Sequence, residues 1–456
     1  MKDLTQGSVA RNLLQISAFL ATSMLLQTLY LLVDLYWVGR LGKEAIAAVG
    51  LSGNVTFVVL ALTQALGVGT TTLISHAAGR KDQPRAHLVF NQSLVLSILC
   101  GLAFLVVAFA VRGAYCRALA ADALTARLAE EYLSWFLPAL TLQFGMVAMA
   151  SSLRGTGIVK PTVVIQVISV ALNMALAPVL VFGWGTGLAM GVAGAALATF
   201  VSVVVGVVLL IAYFLRREVY IGFDRALWKP AWQIWKQMMA VGAPAGGDFV
   251  VLSAYLVLVY WIIQAFGAAA QAGFGIGGRV MQALFLPVVA IAFAAAPVAG
   301  QNFGARAGDR VRQTFEWAAA MSSAVMLLLT IACQISPGAF IRPFSSDPAV
   351  LAVGAEYLRI TSWNFVPSGI VFTSASIFQG IGNSVPPVLI SALRLLLFGV
   401  PALLLSQTSG FELREVWYLA VATVLVQLAL NVLLLRREFR RKLAFGPVVA
   451  VPAPAP

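Results

Sequence analysis

Residues 13–50 read LLQISAFLATSMLLQTLYLLVDLYWVGRLGKEAIAAVG, and the fold turns on them. From Leu13 to Val38 the run is apolar and long enough to cross a bilayer as a helix. Asp34 stands four residues before that run ends. A carboxylate in hydrocarbon costs roughly 2.5–3.5 kcal/mol on insertion scales, so it needs a partner, water, or a bound proton or cation. Ser23, Gln27, Tyr30 and Asp34 are spaced by four, three and four and share one helical face. Lipid cannot satisfy such a stripe, which must face a cavity or another helix. Asp34 reads as an ion-coupling acid, with a buried structural hydrogen bond as the plainer alternative.

Composition extends this reading to the whole chain. Of 456 residues, 61% are hydrophobic and 10% charged, whereas soluble domains carry about a quarter charged residues. The chain is therefore an all-α polytopic membrane protein with short connections, and the lipid bilayer is its first partner. The net charge of +13 fits loops held near an anionic leaflet rather than nucleic acid. Cys100, Cys116 and Cys333 have no metal spacing and form no disulfide framework. The first apolar segment is too long for a cleavable signal peptide. No GxxxxGK[ST] and no HExxH occurs, which argues against nucleotide-driven work and metalloenzyme chemistry. No cofactor and no enzymatic activity are expected. His76 and His87 flank a polar loop and read as ordinary loop-edge residues.

Twelve spans are expected, at 13–38, 46–72, 88–111, 133–153, 161–183, 187–214, 241–266, 279–299, 315–336, 359–380, 387–406 and 416–435. Twenty of the 30 Lys and Arg residues fall at the two termini and in the connections on that same side. This asymmetry predicts cytoplasmic termini. An internal repeat organises the rest. At an offset of 225 residues, Gly42 meets Gly267, Gly79 meets Gly304, Arg85 meets Arg310, Glu131-Tyr132-Leu133 meets Glu356-Tyr357-Leu358, and Pro161 meets Pro386. Six spans per repeat is an even number, so the two units enter the membrane in the same direction, as in parallel-repeat transporters. The expected organisation is an N-lobe at 1–215, a linker at 216–240, a C-lobe at 241–435 and a basic tail at 436–456. The linker, with Trp228, Trp232 and Trp235, is expected to lie at the headgroups as an amphipathic helix.

The segments VDLYWVGRLGKEAIAAVGL, LTQALGVGTTTLISHAAGRKD, SLRGTGIVKPTVVIQVISVALNMALAP, APVAGQNFGAR and FQGIGNSVPP, in this order, resemble the multidrug and toxic compound extrusion (MATE) transporters, over nearly the whole chain. The resemblance implies two six-helix lobes around a central cavity. It also implies export of cationic or amphipathic compounds against entering protons or sodium, from a bacterial inner membrane and by a monomer. It makes Asp34 the coupling acid, with Asn173 and, less securely, Thr199 beside it. Thr162, Gln166, Ser169 and Asn173 form a second polar stripe at helical spacing; an interhelical hydrogen bond is the plainer reading of Asn173.

The chain departs from the family pattern in several places. Ala177 and Pro178 stand where one branch has a second acid, the first helix lacks a proline near Ala18, and the tenth span offers Asn364 but no acid. Asp248 is either a second functional acid or an interfacial residue, and Arg394 reads as structural. Gln27, Tyr30, Gln166, Met146, Asp248, Tyr255 and Asn364 are the expected substrate-cavity residues. Met149, Phe144 and Trp261 are further wall candidates, about half of all these apolar groups being expected to fill lobe cores. Two acids against one base in the spans favour cationic or zwitterionic substrates. A single carboxylate favours protons over sodium, which as a hard cation wants several oxygens; Na+ at Asp34 and Asn173 remains the alternative. Flipping of a lipid-linked precursor is the alternative function. It is disfavoured because no basic residue falls within spans one to six.

Overall fold

The structure, a computed structural model, describes residues 1–444 except 186, 188, 219 and 409. Side chains at 30–32, 34 and 35 are outside the described residues. The described chain is helical, without strands: α1 (Val9–Gly39), α2 (Lys43–Gly79), α3 (Gln83–Leu119), α4 (Ala123–Gly155), α5 (Lys160–Phe182), α6 (Gly191–Arg216), α7 (Trp232–Ile263), α8 (Ala268–Gly304), α9 (Gly308–Ile335), α10 (Pro337–Ile341), α11 (Pro348–Thr361), α12 (Phe365–Gly380), α13 (Val385–Leu405) and α14 (Leu413–Lys442). Eleven of these are long and apolar enough to cross a membrane. The twelfth crossing is α11 and α12 together, joined by a 3-10 turn at Ser362–Asn364.

The 225-residue repeat is visible in the backbone. Helices α2 and α8 both have 37 residues and begin and end one offset apart. Asp122 caps α4 by accepting from the Thr125 amide, and Asp347 caps α11 by accepting from the Ala349 amide. The turns after α2 and α8 are the same turn. Lys81 (φ 60°) and Arg306 (φ 58°) are the non-glycine residues with positive φ among those described. The next amide, Asp82 or Ala307, returns 2.9 Å to the carbonyl of Ala77 or Asn302.

Sequence and structure differ at three places. Most helices outrun their apolar cores, because polar and small residues continue the turns beyond the hydrocarbon. The tenth crossing starts at Pro348 rather than 359 and is broken. Thr330 donates to the Ser362 carbonyl (3.0 Å) and Gln334 to the Arg359 carbonyl (2.6 Å), so the break leaves those backbone acceptors satisfied. The linker is not a single amphipathic helix, and from Trp232 onward it is already α7. It makes one 3-10 turn at Arg225–Trp228, and α3 side chains hold its backbone: Gln92 donates to the Leu227 and Lys229 carbonyls, Asn91 to that of Gly222.

The two halves, α1–α6 and α7–α14, meet at the end of the bundle that carries the termini. The first half of α1 crosses onto α8 and α9, and the first half of α7 lies on α2. Leu13 and Ile16 of α1 are buried in one cluster with Val298, Val311 and Phe378. Glycines set how closely the backbones approach. A Cβ on Gly79 would overlap the Gln301 carbonyl, and one on Gly304 the His76 carbonyl, the same contact repeated one offset apart. Gly242 and Gly246 let α7 pass Ala65 and Ala61 of α2, in the manner of small-residue helix pairs. Past Gly246, α7 turns to its own half, where Gly247 faces Val388.

Candidate functional site

In the first half, α5 and α6 bring Asn173 and Thr199 together. Both are buried. Asn173 Nδ2 donates to Thr199 Oγ1 at 3.4 Å, and Thr199 Oγ1 donates to the Ala195 carbonyl at 3.2 Å. Asn173 Oδ1 is buried with no hydrogen-bond partner among the described residues, an acceptor left free in a dry place. The C-terminal end of α1 packs just beyond this pair: Val38 is buried in one cluster with Val181 of α5, about two turns past Asn173, and with Val192 and Ala195 of α6. Position 34 is one turn before Val38. The side chains of Asp34 and Tyr30 themselves lie outside the described residues.

About 10 Å along α5 from Asn173, a cavity of about 140 Å³ opens between α1, α4, α5 and α6. Ser23, Met146, Arg154, Thr162 and Gln166 line it. The two polar stripes of α1 and α5 therefore face each other here, and Gln27 lies exposed one turn along α1 from Ser23. Arg154 is the unexpected member. Helix α4 runs to Gly155, so this arginine belongs to the helix and not to a loop. It donates to Ser151 Oγ (2.8 Å), lies 5.8 Å from the Phe293 ring centroid, and has no carboxylate partner among the described residues. Arg154 lies one residue past the expected fourth span, 133–153, so a basic group lines this cavity from the end of α4.

The second half places different chemistry at equivalent positions. Asp248 stands one offset from Ser23, Tyr255 from Tyr30, Ser391 from Gln166 and Arg394 from Ser169. Asp248 lies two residues beyond Gly246, at the inner lip of the seam, and faces Ser391; its Oδ1 is buried without a partner. The Arg394 guanidinium lies 4.9 Å from the Tyr255 ring centroid, a cation–π contact, and Gln427 donates to Ser391 Oγ at 3.4 Å. Asn364 sits in the break of the tenth crossing, buried and joined to Asp248 and Tyr255 by no described hydrogen bond.

The seam between the halves is polar as well as close-packed. His76 Nε2 donates to the Gly380 carbonyl (2.6 Å), and Gln301 Nε2 to the Gly155 carbonyl (2.9 Å). These are one bond repeated about the pseudo-two-fold axis. Residues 1–7 form a strap across it. The Lys2 amide reaches the Thr156 carbonyl in the first half (2.9 Å). Wholly buried Leu4 donates its amide to Gln301 Oε1 in the second (2.9 Å). Burial, and then the nearby Arg11, push the Lys2 amine below its ordinary range.

The MatE family model matches residues 20–179 and again 244–405, one match in each half. The chain belongs to the MatE family. The probable multidrug resistance protein YoeA of Bacillus subtilis (strain 168) is 26% identical over 418 residues, spanning 91% of this chain and 90% of that one. The multidrug export protein MepA of Staphylococcus haemolyticus (strain JCSC1435) is 24% identical over 381 residues, 83% of each. A solved outward-facing conformation of a multidrug resistance MATE family transporter of the MOP superfamily superposes with a TM-score of 0.89 at 25% identity, over 97% of this chain and 98% of that chain. This chain is thus a polytopic membrane transporter and not an enzyme.

Within this MatE protein the sequence reading missed the strap and the seam. Leu4, His76, Gln301 and Arg310 hold the halves together, and the signals for them were the Gly79–Gly304 and Arg85–Arg310 matches within the repeat. Of the apolar wall candidates, Met146 lines the cavity, Phe144 and Met149 are buried in lobe cores, and Trp261 is exposed.

Proposed function

We propose that this transporter exports cationic or amphipathic compounds across the bacterial inner membrane in exchange for entering protons, with both termini cytoplasmic. Sodium is the alternative coupling ion. The observation that carries the reading is the Asn173–Thr199 pair. It is a buried hydrogen bond with a free acceptor oxygen, near the end of α1 that carries Asp34 in the sequence. Asp34 takes up a proton there from the outer side. In that state the carboxyl no longer holds water or a cationic substrate, and the first half closes and releases its cargo. Export requires that the cavity then face the other side. The closed seam supports this reading, because every described hydrogen bond and glycine contact joining the halves lies between Gly246 and the terminal end, so one gate is shut while the outer level remains free to open. The relatives named for multidrug resistance and export support the substrate class. Arg154 is one basic group where a pyrophosphate-holding flippase needs several, so the flippase reading gains little from it.

The test is efflux of a fluorescent organic cation from cells or into everted vesicles. The wild type drives it with a proton gradient, and Asp34→Asn does not. If export persists undiminished on a sodium gradient with an uncoupler present, sodium replaces the proton in this reading.

A further inference from the structure

The same arginine, one offset apart, ends in two different surroundings. In the second half Arg310 is saturated by the strap: Nη2 donates to the Gly7 carbonyl (3.0 Å) and the Leu4 carbonyl (3.4 Å), and Nε to Asn302 Oδ1 (2.8 Å). Chain carbonyls fill that socket. In the first half the equivalent position is Arg85. The chain equivalent to the strap would be residues 226–232, but Gln92 holds the Leu227 and Lys229 carbonyls against α3 and Asn91 takes the Trp228 indole N–H. The socket is left as a cavity of about 290 Å³ lined by His76, Arg80, Asp82, Arg85 and Gln237.

The cavity carries two guanidinium groups, Arg80 and Arg85, against one carboxylate, Asp82. Arg85 donates from Nη2 to Gln237 Oε1 (2.7 Å). Asp82, the carboxylate of the lining, caps α3 by accepting from the Arg85 amide (3.0 Å). Among the described residues neither Arg80 nor Arg85 makes an ion pair. Its twin is filled by acceptor oxygens, so an acceptor-rich anion is what this one lacks. Trp228 and Trp232 are exposed on the stretch leading to Gln237, and such tryptophans mark the headgroup level of a bilayer.

We propose that this cavity binds a phosphate group, held between Arg80 and Arg85 with Gln237 at its edge. The phosphate of an anionic lipid headgroup and free inorganic phosphate offer the same oxygens. Arg80 and Arg85 belong to the first half and Gln237 to the second, so the site exists only while α7 lies on α2. A phosphate bound there favours the seam-closed arrangement by its differential affinity for it.

The experiment is native mass spectrometry of the full-length protein in detergent with phosphatidylglycerol, phosphatidylcholine or inorganic phosphate added. Tighter retention of one phosphatidylglycerol than of phosphatidylcholine is expected. R80Q/R85Q should weaken it by about fivefold per arginine, the order for one basic group against an anionic headgroup. R436Q/R437Q, elsewhere on the same basic side, should leave it unchanged, and R80K/R85K should keep most of it. Displacement of the lipid by millimolar phosphate but not chloride supports the site with a soluble source; resistance to phosphate supports it with a lipid source. Equal retention of the two lipids by the wild type, together with no phosphate binding, overturns the proposal and needs no variant to fold. Equal retention by wild type and a monodisperse R80Q/R85Q overturns it as well.

Discussion

The two halves share a backbone and differ in their polar side chains. One offset relates α2 to α8, α4 to α11–α12, the αL turns at Lys81 and Arg306, and the seam bonds of His76 and Gln301. Yet Ser23, Gln166, Ser169 and Asn173 in the first half become Asp248, Ser391, Arg394 and Phe398 in the second. The seam is conserved between the halves because both must pack against the same pseudo-two-fold axis; a Cβ at either Gly79 or Gly304 meets the partner's carbonyl. The cavities are under no such constraint. Each half can therefore carry its own chemistry on a common frame.

The sharpest way to break this comparison is to remove the first half's acid. Asp34→Asn is expected to lower proton-driven efflux by more than tenfold, about 1.4 kcal/mol or more, at wild-type expression in the membrane. Retained efflux would mean that the first half is not the coupling half.

The seam gives the next largest effect. Gly79→Leu and Gly304→Leu should each lower transport by about tenfold, because backbone approach cannot relax around a new side chain as a flexible tip can. Thiol labelling of Gln237→Cys in a background lacking Cys100, Cys116 and Cys333 should rise in both. A rise in only one would show that the two contacts are not equivalent.

Asp248→Asn tests the second half. A loss of only a few-fold is expected, on the order of one ordinary hydrogen bond at about 1 kcal/mol. The Asp34→Asn/Asp248→Asn double variant should be no worse than Asp34→Asn alone. A full loss from Asp248→Asn by itself would move the coupling site to the second half.

The smallest effect on transport is expected from Leu4→Ala, which spares both cavities. Truncating a fully buried leucine costs roughly 2–5 kcal/mol in soluble cores. The melting temperature in detergent should therefore fall by several degrees, while efflux at low temperature stays within about twofold of wild type. An unchanged melting temperature would show that the strap does not hold the seam.

Much of the architecture was legible in the chain alone. Apolar run lengths, the charge asymmetry and the 225-residue offset yield twelve crossings in two parallel halves, because bilayer thickness and the ban on unsatisfied backbone in lipid leave few other solutions. The polar stripes of α1 and α5 were legible too, since helical periodicity alone places Ser23 with Gln27 and Gln166 with Asn173. What only the tertiary structure decided was which surfaces meet. Arg154 reads as a loop residue until α4 is seen to continue through it into a cavity. His76 reads as a loop-edge residue until the second half brings the Gly380 carbonyl to it. Residues 1–7 show no periodicity, and their place on Gln301 and Arg310 depends on contacts some 300 residues apart in sequence. Local pattern reports which face of a helix is polar. The partner for that face is set by packing across the whole bundle, which no window of sequence contains.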